Sequence, residues 1–316
     1  MGGIRRGDQQ VALGLRIGLN FIEPPGTPGT PRIKNMKELA QTLNQNGIDI
    51  TSLKPLPTTG EETFYYLAVL AKDSFDLWQK IRGLVEQTGF WPLLIGELRD
   101  WQVSGPIKPN YTPSLGENLH NLLFRKKPKT PTVESVPELR LSIGTDTTYS
   151  VAKTIEIGLA LDPLDLFSQK SKGFFNNQVE TELKSLIEKW PEGIKPNSFI
   201  DIQFESDIFV ILAPTRKSWE VPAFLRFGGW NECPSPEEQV CILKYWNNKY
   251  GAEVLAITYD TLECLISHPP QTREQALELS KEQYIYSGIE TIENLSDIVS
   301  QAAGIVNNTT WYFWWD

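Results

Sequence analysis

Three times in this chain a helical pattern stops at a glycine and gives way to an apolar run, at Gly47, Gly89 and Gly251. Glycine supplies the positive φ that lets a helix end and the chain turn back. A helix that feeds a strand in this way packs on the sheet the strand joins. The pattern predicts an α+β or α/β fold, a mixed sheet covered by helices with helix–Gly–strand units. The helix starts are also marked. Asn35 and Glu38 form a capping box ahead of Leu39 and Leu43, and Ser74 is expected to cap a helix carrying Leu77, Ile81, Leu84 and Val85. Ser235-Pro236-Glu237-Glu238 combines a serine cap, a first-turn proline and a glutamate at the third position. Val240, Leu243, Trp246 and Tyr250 give that helix its apolar face.

Other segments read as strands: Leu13–Phe21, Ile48–Ile50, Glu62–Ala71, Phe90–Ile95, Val133–Ile143, Ala152–Leu161, Val221–Phe227, Glu253–Ile266 and Thr310–Asp316. Phe199–Leu212 reads as a strand or a hairpin, and further helices are expected around Val179–Ile187, after Thr272 and after Thr291. Composition shifts suggest five parts: a disordered terminus 1–12, an α/β part 13–101, a proline-rich connector 102–136, a middle α/β part 137–219 and a C-terminal domain 220–316.

Charge separates the last part from the rest. Residues 220–316 hold 5 basic and 14 acidic side chains, which accounts for the whole net charge of −9. That sign disfavours nucleic acid as a partner of this part. The one basic run, Arg125–Lys129, contains a proline and reads as a solvated loop. Arg16 and Asn20 interrupt the apolar run that a signal peptide would need, and Arg6 breaks the myristoylation pattern. No apolar stretch approaches a membrane span. Cys233, Cys241 and Cys264 show no C-x-x-C spacing and read as buried, reduced thiols, so a cytoplasmic location is expected.

Chemistry has few places to reside. The two histidines, His120 and His268, lack partners at metal-ligand or triad spacing, and the phosphate-loop, dinucleotide and serine-hydrolase motifs are missing. Ser150-Val151-Ala152-Lys153 matches S-x-x-K without its companion motifs. No metal and no cofactor is expected.

The C-terminal third resembles a bacterial family called domain of unknown function four-two-five-three. The resemblance lies in Trp246–Val254 followed by Asp260–Glu263, in Pro269–Ala276 followed by Glu282, and in the ending Trp311–Asp316. Thr88–Leu94 is similar to a more N-terminal block of the same family. Ser287 stands where many relatives are expected to carry cysteine, which argues against a necessary thiol there. The resemblance implies a bacterial cytoplasmic protein and no established activity.

Two functional readings remain. In the first, the protein is a non-enzymatic interaction or regulatory module whose binding residues are Trp230, Asn231, Trp246, Trp311, Trp314 and Asp316. In the terminal strand Trp311, Phe313 and Trp315 share one face, and Tyr312, Trp314 and Asp316 the other. Coverage of both faces would make it a central strand. Gly228-Gly229-Trp230-Asn231 is read either as a ligand-binding loop before the Ser235 helix or as an ordinary turn. In the second reading, Asp260 and Glu282 are a carboxylate pair in a tryptophan-lined cleft of a small-molecule binder or enzyme. The candidate partner is another protein or a small ligand, with no membrane and, for the C-terminal part, no nucleic acid, and the oligomeric state is left open.

Overall fold

The computed structural model describes residues 33, 35–56, 62–95, 149–194, 208–258, 260–289 and 292–315. The expected strands at Leu13–Phe21 and Val133–Ile143, the connector and the basic run lie outside these residues, as do Thr291 and Asp316.

Helix α1 (Met36–Gln45) begins at Asn35, whose side chain accepts a 3.0 Å bond from Glu38 N–H, and it buries Leu39 and Leu43. No strand follows Gly47 directly; the first strand is β1 (Lys54–Leu56), paired antiparallel with β2 (Phe64–Val69). Helix α2 (Ser74–Arg82) is preceded by a 3-10 turn, and its N-cap is Asp73. The Ser74 hydroxyl donates back to Ala71 O instead of capping. After a short α3 (Val85–Thr88), Gly89 adopts φ 81° and the chain enters β3 (Trp91–Ile95), buried at every position.

Residues Val151–Ala160 form helix α4, where a strand was expected. Ser150 accepts from Lys153 N–H at 3.3 Å, so the S-x-x-K match is an N-cap. The β-branched content of this run imitates a strand. Its buried residues Val151, Thr154, Ile155 and Gly158 nevertheless repeat at helical spacing. Helices α5 (Pro163–Lys170) and α6 (Asn177–Ile187) follow, then β4 (Ile208–Ala213). Val221–Leu225 is a short helix, α7, not the expected strand. Pro222 sits in its first turn, and it stops at Arg226 with φ 51°.

Helix α8 (Pro236–Tyr250) carries the full Ser235/Glu238 capping box and ends on Gly251 at φ 61°. Glu253–Ile266 is two strands, β5 (Ala252–Ile257) and β6 (Thr261–Ile266), joined as an antiparallel hairpin. Helix α9 (Arg273–Ser287) starts at Thr272, α10 (Leu295–Ile305) starts at an Asn294/Asp297 box, and β7 (Thr310–Trp314) closes the order.

Among the described residues the sheet has seven strands in the order β1-β2-β4-β3-β5-β6-β7. Every junction is antiparallel except β3 with β5. The fold class expected from the helix–Gly–strand units is therefore found, with strands from the N-terminal, middle and C-terminal parts in one sheet. Among the described strands β7 lies at the edge, not in the centre: Trp311, Phe313 and Trp315 face the core, while Trp314 is exposed. One face of a strand can be apolar without a neighbour on both edges.

The β3–β5 junction is the weakest ladder, with Leu94 opposite Ala256 as its register pair. Pro92 has no N–H to offer, and β5 carries a register shift between Val254 and Ala256. A side chain makes up part of the deficit: Trp91 Nε1 donates to Val254 O at 2.9 Å. Beside it, Arg82 pairs with Glu253 and lies 4.6 Å from the centre of the Trp91 ring. Replacing Trp91→Phe leaves a buried carbonyl without its donor and is expected to cost about 1–3 kcal/mol, read by urea denaturation.

Candidate functional site

The C-terminal helices and β7 meet in an aromatic cluster. Trp246 of α8 stacks on Phe313 at 5.5 Å and meets Trp311 edge-on at 5.6 Å. Tyr286 of α9 stands edge-on between Phe313 and Trp315, at 4.8 and 5.2 Å. Trp246 is 0 % exposed and Trp311 is 1 % exposed. Both candidates belong to the core, because α8 lays its apolar face on the inner face of β7.

Glu282 is equally committed. Its Oε2 accepts from Trp246 Nε1 at 2.8 Å, and its Oε1 accepts from Tyr245 OH at 3.0 Å and Lys249 Nζ at 3.0 Å. This carboxylate ties α9 to α8. Burial draws the Lys249 pKa down, but the hydrogen bond with Tyr245 and the Glu282 charge outweigh it, and the net shift is upward.

Asp260 has different partners. Its Oδ2 accepts from Trp314 Nε1 at 3.0 Å, its Oδ1 from the Thr258 hydroxyl at 3.3 Å, and its main-chain oxygen from Trp315 N–H at 3.0 Å. The two carboxylates share no partner. Each fixes a tryptophan, which is a structural use of charge.

The Gly228–Asn231 loop turns upon itself. Gly228 and Gly229 have φ 111° and 85°, and Gly229 N–H donates to Pro234 O at 3.0 Å. A Cβ at Gly228 would stand 2.0 Å from Pro234 O, so the close approach that requires glycine is to the loop's own backbone. Trp230 is half-buried, edge-on to Phe227 at 5.0 Å, and Asn231 is exposed at φ 44°. At the start of α8, Glu238 N–H is bound by Ser235 Oγ at 3.3 Å, and the Glu238 carboxylate accepts from Ser235 N–H at 2.9 Å. A carboxylate of the chain itself thus occupies that helix start.

A cleft of about 390 Å3 lies elsewhere, between α9, α10 and β7. Trp230, Asn231, Asp260 and Glu282 are not among its lining residues; Trp314 is, at 52 % exposure. Inside, Gln301 Nε2 donates to Gln283 Oε1 at 2.7 Å. Gln283 Nε2 and Trp311 Nε1 are buried without a hydrogen-bond partner among the described residues. Burial pushes the Tyr284 hydroxyl up to about 12, and the charge of Asp297 adds to the shift. Among the described residues that line it, Asp297 is the one carboxylate and none is basic. Gln283, Gln301 and Asp297 carry no motif that would single them out in the sequence; only the pairing of distant elements assembles them.

Among the described residues no group of three or more His, Cys, Asp and Glu is placed to hold a metal ion, and no helix is long and apolar enough to cross a membrane.

Residues 209–316 match the model of DUF4253, a domain of unknown function. The C-terminal third is a DUF4253 domain. No curated protein and no solved structure matches the chain. The DUF4253 match runs from the second residue of β4 through β7, but in the sheet β3 stands between β4 and β5. The DUF4253 domain thus builds its sheet around a strand, Trp91–Ile95, from outside the match.

In the three buried thiols of the DUF4253 domain, desolvation outweighs the pull of Lys170 on Cys233 and of Lys244 on Cys241. Burial raises Cys233 to about 12 and Cys241 to about 11 from the ordinary 9.0, and Cys264 rises further. Raised thiol pKa values leave stability intact below the unfolded value and erode it as pH climbs from 9.0 towards about 12. Alkylation by iodoacetamide at neutral pH is expected to spare all three thiols in the native state and to modify them on unfolding. Removing the Glu282 staple by Glu282→Leu leaves Trp246 Nε1 unpaired and is expected to cost about 1–3 kcal/mol, against a smaller loss for Glu282→Gln, measured by thermal and urea melts.

Proposed function

We propose that the DUF4253 domain is a non-enzymatic recognition module that binds another protein on the β7 side of its sheet. The observation that carries this reading is Trp314. It is 52 % exposed at the cleft, whereas Trp246, Trp311 and Trp315 are buried. An exposed indole whose Nε1 is already fixed on Asp260 presents a large contact surface at little cost in side-chain entropy. Exposed aromatics of this kind are enriched in interfaces. The engagement of Asp260 and Glu282 by tryptophans supports binding over acid–base catalysis, and the buried thiols fit a cytoplasmic setting. A small ligand in the cleft is the second reading, favoured by the unpartnered N–H groups of Gln283 and Trp311.

Trp314→Ala tests both. The variant is expected to fold at a cost of about 1 kcal/mol, since the side chain is half exposed and its hydrogen bond to Asp260 is lost. A protein cross-linked to the parent in cells, identified by mass spectrometry and purified, should bind the variant at least roughly tenfold more weakly. Equal binding of every such protein counts against the reading. Thermal stabilisation of both proteins by a metabolite, without a protein partner, favours the small ligand.

A further inference from the structure

The two edges of the sheet are built differently. β1 is three residues long and carries Lys54 and Pro55, a charge and a missing N–H that discourage further pairing. β7 is five residues, Thr-Trp-Tyr-Phe-Trp, with neither device.

Its hydrogen-bond parity shows what the open edge offers. Thr309 O accepts from Ile266 N–H at 2.8 Å, and Trp315 N–H donates to Asp260 O at 3.0 Å. Between them Trp311 faces Cys264 and Phe313 faces Leu262. Antiparallel bonding alternates, so the odd-numbered residues bond to β6, while Thr310, Tyr312 and Trp314 turn their N–H and C=O groups outward. Thr310 N–H is taken by Asn308 Oδ1 at 3.1 Å. The main-chain N–H and C=O groups of Tyr312 and Trp314 remain, on the edge that lines the cleft, and no described strand pairs with them.

We infer that β7 accepts an extended, lysine- or arginine-bearing segment of a partner protein as an eighth strand. This rests on the protein-binding reading above and names its mode. Charge selects the occupant. Asp297 lines the cleft, Asp260 sits against Trp314, and residues 220–316 hold 14 acidic against 5 basic side chains. A second copy brings the same sign and is repelled; a basic segment is attracted. Strand addition draws affinity from main-chain bonds and specificity from alternate side chains.

The test uses the full chain and a fluorescent peptide of alternating valine and lysine, about ten residues long. Binding is expected, weakening as salt rises, with amide exchange of Tyr312 and Trp314 slowed roughly tenfold. The glutamate-for-lysine peptide should not bind. N-methylation along one edge of the peptide should abolish binding, and along the other leave it intact. Tyr312→Pro removes an outward N–H without a bond to β6 and should also abolish binding; the N-methyl peptides settle the point if that variant misfolds. Absent binding, equal binding of the acidic peptide, protection elsewhere, or self-association that protects these amides would each overturn the inference. If Trp314→Ala still loses its protein partner, the recognition reading survives that failure; if Trp314→Ala has no effect either, both fall.

Discussion

The sheet depends on a junction that backbone pairing alone holds poorly. β3 must sit between β4 and β5, yet Pro92 has no N–H and β5 shifts register beside it. The Trp91 indole N–H reaches the Val254 carbonyl across this gap, and Arg82 bridges the same strands through Glu253 while covering the Trp91 ring. Trp78 supports the arrangement from α2, donating its own indole N–H to Pro92 O at 2.9 Å. A buried side-chain donor here satisfies a carbonyl that the irregular ladder would otherwise leave costly.

From that junction the order passes outward. β5 fixes β6, and β6 fixes β7 by five register pairs. Helix α8 then locks onto β7 through the stacking of Trp246 on Phe313, while Glu282 holds α9 to α8 by three charge-assisted bonds. The outer edge of β7 is consequently backed by a buried, closely packed aromatic core. A rigid template loses little freedom on binding, which is the condition for an edge strand to recognise rather than merely adhere.

Local chemistry was legible in the sequence where one residue decides the outcome. Asn35, Ser235, Gly89 and Gly251 do at their positions what cap and stop rules require. Thr310–Trp314 also alternated as read. Two helices, Val151–Ala160 and Val221–Leu225, passed for strands because β-branched and apolar residues crowd them and tertiary burial, not propensity, decides. Gly158 shows what is decided by contact: a Cβ there would fall 2.6 Å from Glu237 O, on a helix distant in sequence. The edge position of β7, the separate commitments of Asp260 and Glu282, and the cleft itself all follow from pairings between remote segments. No spacing rule within a single segment encodes them.

The placement of β3 within the span of the DUF4253 match bears on what counts as a unit. Similarity draws a boundary at residue 209, and mechanics does not. Excised at that line, β4 and β5 would flank an empty strand position, with the Val254 carbonyl and the hydrogen-bonding edge of β5 open to water. The segment before the boundary is therefore a structural subunit of the domain that happens to be covalently attached. Loss of either part should be felt by both in one cooperative transition.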